Sequence, residues 1–195
     1  MKAGAVILAG GKSSRMGTNK ALLKINGKPN IERIVEELRL VFTDLILVTN
    51  QPETYEYLRV KQTPDLFPGL GPLAGLHAGL TASEDDLNLL VACDMPFVSS
   101  RLAERLVEQC GEMDAVIPVI NGREHPLFAI FHKRTAKKAV KCMETGRLSM
   151  KDLLEQINVR YVTEKELPEF SSHELERIFF NMNRPDEYEA ANKYV

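Results

Sequence analysis

The sequence predicts an α/β fold, a single three-layer, Rossmann-like domain with a mostly parallel, mixed central sheet between two layers of helices. Short apolar runs of strand length alternate along the chain with stretches whose apolar residues recur at helical spacing. An Asn121–Gly122 pair between two apolar runs indicates a β-hairpin, and therefore one strand that runs against the others. The chain has 195 residues, of which 44% are hydrophobic and 27% charged, so we expect one domain that spans residues 1–195.

Strands are predicted where short apolar runs are bounded by turn residues or charges. The first run ends in Gly10–Gly11, which is typical of a buried strand that leads into a glycine-rich loop. Asn121–Gly122 separates the fourth run from the fifth, which we expect to return antiparallel. The predicted strands lie at residues 4–9, 44–49, 87–93, 114–119, 126–131, 159–163 and 178–183.

Helices are predicted in the intervening stretches. Pro29 lies near the start of the first of these, where its missing N–H leaves no helical hydrogen bond unmade. Ser99 or Ser100 is suited to cap the third, because a serine side chain accepts from the free N–H groups of a first helical turn. The predicted helices lie at residues 29–42, 73–81, 99–109, 133–144 and 185–194.

Charge and cysteine content exclude several classes of protein. Residues 1–31 contain six Lys and Arg and no Asp or Glu, so this segment is positively charged. Because the whole chain has a net charge of -2, the residues after position 31 have an excess of acids. The apolar runs are too short for a membrane span, which needs roughly 18 residues, and no signal peptide or basic–aromatic, nucleic-acid-binding stripe is apparent. Cys93, Cys110 and Cys142 have no metal-site spacing and favour a reducing cytoplasm.

The loop after the first predicted strand reads LAGGKSSRMGTNK from Leu8 to Lys20. Its glycines, Gly10 and Gly11 among them, let the backbone approach a ligand closely, and Arg15 and Lys20 suit a polyphosphate. Ligands of such sheets bind beyond the carboxyl ends of the strands, where this loop lies. A solvated surface loop is the alternative, and the position of Lys12 leaves both open.

Two familiar phosphate-binding motifs fit only in part. The first glycine of a P-loop would fall on position 6, which is Val6. Residues 69–74 match G-x-G-x-x-A, but they follow a Pro-containing loop instead of a strand, and the acid expected about 20 residues further on is Leu89. Neither a P-loop protein nor a dinucleotide-binding domain is predicted.

Asp94 follows the most apolar predicted strand, where an unpaired carboxylate is costly to bury. A bound Mg²⁺ would offset that cost, because Mg²⁺ takes only one or two protein carboxylates and completes its shell with water and substrate phosphate. Asn181 and Asn183 are two residues apart on a predicted strand, so they would project from one face and could ligate the metal or its waters. The alternatives are a turn-forming aspartate and asparagines that hydrogen-bond a sheet edge.

Asp65 lies in a Pro/Gly-rich loop and could accept hydrogen bonds from the N1–H and N2–H₂ groups of guanine. Gly71 fits a backbone that passes close to a flat base, and Asn50, after the second strand, is a further contact by its position. A lone loop aspartate is more often a turn former.

The motifs together resemble those of a nucleotidyltransferase family, in its molybdenum cofactor guanylyltransferase branch. The resemblance rests on the first loop, which is similar to L-A-G-G-x-S-x-R-M-G-x-x-K, and on three later motifs in the same order. Those motifs are Asp65 with Gly71–Gly75, Cys93–Phe97 and Asn181–Glu187. Arg184 stands where the family usually has the threonine of N-x-N-T-P.

The resemblance implies a Mg²⁺-dependent transfer of GMP from GTP to the phosphate of molybdenum-molybdopterin, with release of pyrophosphate. Asp94 would bind nucleotide and Mg²⁺, and Arg15 and Lys20 would stabilise the charge on the phosphates. The remaining nucleotide-binding positions that the resemblance implies are Leu8, Ala9, Gly10, Lys20 and Asp65, to which the positions of Gly11, Asn50 and Gly71 in their loops add three further expected contacts.

Acceptor and partner sites carry weaker signals. Arg123 and His125 lie where the family usually has basic or polar residues, although an arginine and a histidine on a hairpin are more often simply solvated. The basic helix at residues 133–144 could dock an upstream molybdenum-insertion protein or a molybdoenzyme chaperone, or could simply be solvated. The alternative functions are a related nucleotidyltransferase that uses CTP or acts on a sugar phosphate, and a non-catalytic nucleotide-binding regulator.

Overall fold

The computed structural model describes residues 2–9 and 19–194, and its central feature is a mixed sheet. The strands are β1 (Ala3–Leu8), β2 (Lys24–Ile25), β3 (Lys28–Pro29), β4 (Leu45–Val48), β5 (Lys61–Thr63), β6 (Leu87–Ala92), β7 (Ala115–Ile120), β8 (Arg123–Glu124), β9 (Phe128–His132) and β10 (Val159–Thr163). The helices are α1 (Asn30–Leu38), α2 (Pro72–Ala82), α3 (Ser100–Glu108), α4 (Ala136–Glu144), α5 (Met150–Leu154), α6 (Ser172–Ile178) and α7 (Pro185–Lys193).

The sheet has the strand order β10-β7-β9-β6-β1-β4-β5, with β8 paired to β7 and a separate β2–β3 hairpin. Pairings of β1 with β4 and β6, of β4 with β5 and of β7 with β10 are parallel. The strand β9 runs antiparallel to both of its neighbours, β6 and β7. The predicted fold class, including the single reversed long strand after the Asn121–Gly122 turn, is therefore confirmed.

Apolar side chains on the two faces of the sheet form two separate cores. On one face Ala5 and Ile7 of β1 pack with α1, α3 and α6, and on the other Val6 and Leu8 pack with α2, α4 and α5. Alternate residues of β1 are buried on opposite faces, which is why this strand has no polar side chain. None of the helices in the described part of the chain is long and apolar enough to cross a bilayer.

The strand predicted at residues 178–183 is wrong. Ile178 ends α6, and residues 180–183 have no regular secondary structure and no strand partner among the described residues. A capping box between Ser171 and Glu174 starts α6, and buried Leu175 and Ile178 are spaced as one helical face. The apolar residues at 178–180 therefore lie at and just after the end of a helix. Met182 packs in a separate cluster with Ile25 and Phe97.

Other differences concern short or polar elements. Of the helix predicted at 29–42, only Asn30–Leu38 is α-helical, and the chain from there to Phe42 forms hydrogen-bonded turns. The short strand β5 and the β2–β3 hairpin have too few apolar residues to be detected from periodicity. The short helix α5 was likewise not predicted.

The helix α2 packs directly on β1 because its contact face carries glycines. A Cβ atom at Gly75 would lie 2.8 Å from Leu8 Cδ2, and one at Gly79 would lie 2.1 Å from Val6 Cγ1. Real Cβ atoms do not approach so closely, so these positions set the distance between α2 and the strand whose carboxyl end leads into the first loop.

We expect Gly79→Ala to lower the free energy of unfolding by about 1–3 kcal/mol, because the added methyl group overpacks the contact with Val6. The sign of this change in the free energy of unfolding is informative, because replacing glycine by alanine at an unhindered helix position stabilises a protein by roughly 1 kcal/mol. Urea unfolding measures the difference. The matched control is Thr81→Ala on the exposed side of the same helix, expected within about 0.5 kcal/mol of the parent. A stabilised Gly79→Ala variant would mean that α2 can move away from β1.

Candidate functional site

The ends of three parallel strands meet at one edge of the sheet. Ala9 N–H donates to the Val48 carbonyl at 3.1 Å, and Cys93 N–H donates to the Leu8 carbonyl at 3.1 Å. These bonds place the chain after β1, β4 and β6 side by side, as expected for a ligand site in this kind of sheet. Gly10, Gly11, Lys12 and Arg15 lie outside the described residues, so their nucleotide-binding and catalytic roles stay predictions.

Lys20, Asp94 and Asn183 come together at this edge. Lys20 Nζ donates to Asn183 Oδ1 at 2.8 Å and lies 3.9 Å from Asp94 Oδ2. The side chains of Lys20 and Asp94 are 20% and 23% exposed, so the pair is largely shielded from water and little screened by salt. Residues far apart in the sequence thus form one polar cluster.

Burial governs the ionisation of Asp94. It raises the pKa of this carboxyl group, the Lys20 ammonium opposes the shift, and Glu187 adds to it. One carboxylate oxygen, Oδ1, is buried with no hydrogen-bond partner among the described residues. A divalent cation fits such an atom, since Mg²⁺ accepts carboxylate and amide oxygens and needs only one or two protein carboxylates. The described residues hold no group of three or more His, Cys, Asp or Glu placed for a metal, which is compatible with so sparse a ligand set.

The neighbouring thiol is not a nucleophile. Burial raises the pKa of Cys93 to about 12, with the Asp94 carboxylate adding to the shift, so the thiol stays protonated at neutral pH. Cys93 contributes packing and its backbone groups to this turn.

The structure separates the two asparagines expected to act together. Asn183 joins the Lys20–Asp94 pair, whereas Asn181 Nδ2 donates to the Phe179 carbonyl at 3.0 Å. Because residues 180–183 are not a strand, the shared face assumed for the two side chains is not imposed by strand geometry. The predicted role of Asn181 as a metal ligand stays a prediction.

Several residues that support the cluster were not predicted. Asn19 accepts from Ala21 N–H at 3.1 Å and donates to the hydroxyl of fully buried Tyr55 at 2.8 Å, which anchors the turn that carries Lys20. Glu187 accepts from the N–H groups of Asn183 and Arg184 at 2.6 and 2.9 Å. The glutamate two residues after Pro185 is a capping-box signal that could have revealed this contact.

The predicted base-binding residues also lie together. Asn50 Oδ1 accepts from Asp65 N–H at 2.9 Å, and Asp65 Oδ1 accepts from Phe67 N–H at 2.8 Å. Asp65 thus has the turn-forming role that was the alternative, and its second carboxylate oxygen accepts no hydrogen bond from the described residues. His77, which was not singled out, contacts the Phe67 ring edge-on at 5.4 Å between centroids, and burial lowers its pKa.

The remaining predicted contacts around the base are backbone positions. Gly71 precedes α2 with φ at 77°, in the left-handed region that favours glycine. Leu8 is buried under α2 and Ala9 is half-buried. These residues lie on the elements that adjoin the loop after β1.

Arg123 and His125 follow the confirmed hairpin turn, in which Asn121 and Gly122 both have positive φ. Arg123 is exposed, whereas the His125 ring packs against Phe179 at 4.2 Å between centroids. Burial and the nearby Arg123 lower the pKa of His125 to about 4. At neutral pH His125 is therefore uncharged and offers an N–H donor, while the positive charge of the hairpin comes from Arg123.

The basic segment before and within α4 is partly engaged within the molecule. Lys133 donates to the Ser83 carbonyl, and Arg134 pairs with Asp114 and donates to the Glu112 carbonyl. Lys137, Lys138 and Lys141 of α4 remain on an exposed face.

The fold and the site together define an α/β protein of the nucleotidyltransferase class, with its polar cluster at the carboxyl edge of a mixed sheet. A sequence model of the family described as the MobA-like NTP transferase domain matches residues 5–162. The chain belongs to this family.

Individual relatives agree with that assignment. The chain is 36% identical over 190 residues to a "Probable molybdenum cofactor guanylyltransferase" of Peptoclostridium acidaminophilum, covering 94% of this chain and 85% of the relative. It is 34% identical over 197 residues to a protein of the same name from Natranaerobius thermophilus, covering 98% and 95%. These alignments run along nearly the whole of both proteins.

Solved structures share the fold. The crystal structure of molybdopterin-guanine dinucleotide biosynthesis protein A from Archaeoglobus fulgidus matches with a TM-score of 0.83 and 29% identity, covering 100% of this chain and 98% of that one. A 4-diphosphocytidyl-2C-methyl-D-erythritol synthase structure from Anaerococcus prevotii matches with a TM-score of 0.75 at 15% identity, covering 99% and 95%. The second likeness concerns the fold alone.

The raised pKa of Asp94 sets the direction of a pH effect on stability. The folded protein holds a proton on this carboxyl group at higher pH than the unfolded chain, so the ionised form lowers stability, and this effect disappears as the pH falls toward the ordinary value of 3.8. Without metal, we expect Asp94→Asn to unfold at the same or a higher temperature than the parent at pH 7. The difference should shrink to near zero by about pH 4.

Thermal unfolding followed by circular dichroism measures this difference. The matched control is Asp86→Asn, an exposed aspartate at the opposite end of β6, expected to show no such dependence. A melting temperature for Asp94→Asn several degrees below the parent at pH 7 would identify Asp94 as a structural ion-pair partner of Lys20.

His125 gives a second pH prediction, of opposite sign. Because its pKa is about 4 in the folded state against an ordinary value of 6.5, the unfolded chain takes up the proton first, and stability is lost as the pH falls from 6.5 to about 4. We expect His125→Phe, which keeps an aromatic ring against Phe179, to lose less stability over this range than the parent. Urea unfolding at several pH values tests this, with exposed His173→Gln as control. An NMR titration that places the pKa of His125 near 6.5 would contradict it.

Proposed function

We propose that this protein is a Mg²⁺-dependent molybdenum cofactor guanylyltransferase. It would transfer GMP from GTP to the phosphate of molybdenum-molybdopterin, form molybdopterin guanine dinucleotide and release pyrophosphate. The observation that carries the proposal is the Lys20–Asp94–Asn183 cluster at the ligand-binding edge of the sheet, with a buried carboxylate oxygen that has no hydrogen-bond partner among residues 2–9 and 19–194. The names and wide coverage of the two relatives support the same activity.

The chemistry requires no protein nucleophile, because the acceptor's own phosphate attacks the α-phosphorus of GTP in line with the departing pyrophosphate. The protein must position two anionic substrates and stabilise the charge that develops between them. Asp94, with Asn183 and Asn181, would hold Mg²⁺, which supplies positive charge to the phosphates when bound. Lys20 is within reach of the same place and would exchange its bond to Asn183 for phosphate oxygens.

The first loop would contact the triphosphate. We assign Gly10 and Gly11 as backbone N–H donors to phosphate oxygens and Arg15 as a bidentate partner of the β- and γ-phosphates. Arg15 and Lys20 together would stabilise the pyrophosphate as it leaves.

The nucleobase would lie near Leu8, Ala9 and Gly71, with Asp65 as the group that distinguishes guanine. The Asp65 carboxylate keeps acceptor capacity beyond its bond from Phe67 N–H and can accept from N1–H and N2–H₂ together, a donor pair that cytosine does not offer. Asn50 holds the backbone of Asp65 and so orients this contact.

The acceptor phosphate would approach Arg123, with His125 as a neutral hydrogen-bond donor. The exposed lysines of α4 would face an acidic partner, either an upstream molybdenum-insertion protein or a molybdoenzyme chaperone. We further propose that residues 1–195 act as one domain in the cytoplasm and bind neither membranes nor nucleic acid.

The decisive experiment measures pyrophosphate release from molybdenum-molybdopterin, Mg²⁺ and each nucleoside triphosphate in turn. We expect release with GTP at a rate at least about tenfold above that with CTP, because the Asp65 contacts to guanine are worth roughly 1.4 kcal/mol or more. Asp94→Asn should abolish release, while Asp86→Asn should leave it unchanged. Asp65→Asn should reduce the preference for GTP over CTP.

Other outcomes would select the alternatives. Equal or faster release with CTP would identify a cytidylyltransferase, and release with a sugar phosphate in place of molybdopterin would identify a sugar-phosphate enzyme. Nucleotide binding without release from any triphosphate would identify a regulator.

A further inference from the structure

Asn30 is a fully buried polar residue that lies next to the candidate site. Its Nδ2 donates to the Cys93 carbonyl at 2.8 Å, and its Oδ1 has no hydrogen-bond partner in the described part of the chain. Asparagine is favoured at the N-cap of a helix, where its side chain accepts from the free N–H groups of the first turn, but Asn30 is the first residue of α1, one position further on. Here it caps nothing, since the cap position is Pro29 and no side-chain bond closes the first turn.

Stability alone does not account for an asparagine at this position. Burying an amide with one unpartnered oxygen opposes folding, and its single hydrogen bond roughly offsets that effect. A leucine has the same branched shape and no polar atom to withdraw from water. The presence of an amide at position 30 therefore needs another explanation, and its hydrogen bond to the Cys93 carbonyl provides one.

The Cys93 carbonyl and the Asp94 N–H belong to one planar peptide unit. A bond that holds the Cys93 oxygen therefore restricts rotation of that unit, and with it the range of directions in which the Asp94 side chain leaves the backbone. On its other side Asp94 is held by Met182 N–H, which donates to the Asp94 carbonyl at 2.9 Å. Of these two bonds, the one from Asn30 depends on a particular side chain.

Asn30 also contacts the segment that carries Lys20. Its backbone N–H donates at 2.8 Å to the carbonyl of Leu23, the residue that ends the turn Lys20–Leu22. One residue thus ties the turn of Lys20 through its backbone and the turn of Asp94 through its side chain. This arrangement fixes the two elements whose charged groups lie 3.9 Å apart.

We propose that Asn30 is a positioning residue for Asp94, which it orients for metal binding through the Cys93 carbonyl. This inference rests on the proposed function, in which Asp94 holds Mg²⁺ with the nucleotide. Without the amide, the Cys93–Asp94 peptide unit rotates more freely, and the carboxylate is no longer held in the geometry that the cation and its phosphate ligands require.

The test measures Mn²⁺ binding in the presence of GTP by electron paramagnetic resonance, with melting temperature as a second readout. We expect Asn30→Leu to bind Mn²⁺ about tenfold more weakly than the parent while its melting temperature stays within a few degrees. In steady-state assays, the Mg²⁺ concentration for half-maximal rate should rise in the same proportion. Asn30→Ala provides a smaller side chain in case leucine does not fit.

The matched control is Asn88→Ala at the opposite end of β6. Asn88 is also buried, but its amide donates to the Asp85 carbonyl at 2.9 Å and its oxygen accepts from Ser83 Oγ at 2.6 Å. Its removal should lower the melting temperature and leave Mn²⁺ binding unchanged. The two asparagines should thus show opposite patterns of effect.

Mn²⁺ affinity within twofold of the parent in both Asn30 variants would overturn the inference, as would a loss of stability without a change in affinity. Asp94→Asn separates this result from a failure of the proposed function. If Asp94→Asn also binds Mn²⁺ normally, the metal is not held at Asp94; if only the Asn30 variants do, Asn30 has no positioning role.

Discussion

A carboxylate that is largely withdrawn from water requires nearby positive charge, and Asp94 has this requirement just after the end of β6. Lys20 meets it in part at 3.9 Å, but desolvation still dominates and raises the pKa of the acid. The surrounding structure maintains this unfavourable burial. Hydrogen bonds from Asn30 and Met182 hold the backbone on both sides of Asp94, and a folded scaffold can keep a group in such a position only if its neighbours are rigid.

The same principle explains the contacts around Lys20 and Asn183. A lysine side chain is long and flexible, so its usefulness as a phosphate partner depends on where its backbone is fixed. Asn19 fixes the backbone next to Lys20, because its side chain donates a hydrogen bond to the hydroxyl of the fully buried Tyr55. Glu187 likewise fixes the backbone at Asn183, because it accepts hydrogen bonds from the N–H groups of Asn183 and Arg184. The cluster is thus surrounded by side chains that bind backbone instead of substrate.

Most strands were predictable from the sequence because their side chains are buried on both faces and read as short apolar runs, as in β1 and β6. The same reasoning failed at 178–183, because a short apolar run does not by itself distinguish a strand from the end of a helix. Lys20, Asp65 and Asp94 could be proposed as site residues from the sequence because each belongs to a recognisable motif. Asn30, Asn19 and Glu187 were missed because their importance comes from partners, and those of Asn30 and Asn19 are 63 and 36 residues away. Pairings at that distance are set by the fold and leave no local pattern.

The reversed direction of β9 has a consequence for how the site can change. At the carboxyl edge, a parallel strand is continued by the loop that follows it. Because β9 is antiparallel to β6, the loop at this edge is the one that precedes β9. The Leu127 carbonyl, just before β9, accepts there from Ala92 N–H. The hairpin with Arg123 and His125 therefore reaches the same edge as the loops after β1, β4 and β6, but from a separate part of the chain. On the proposed function, donor and acceptor recognition belong to different loops on a common frame, so evolution can alter the acceptor while the nucleotide half stays intact.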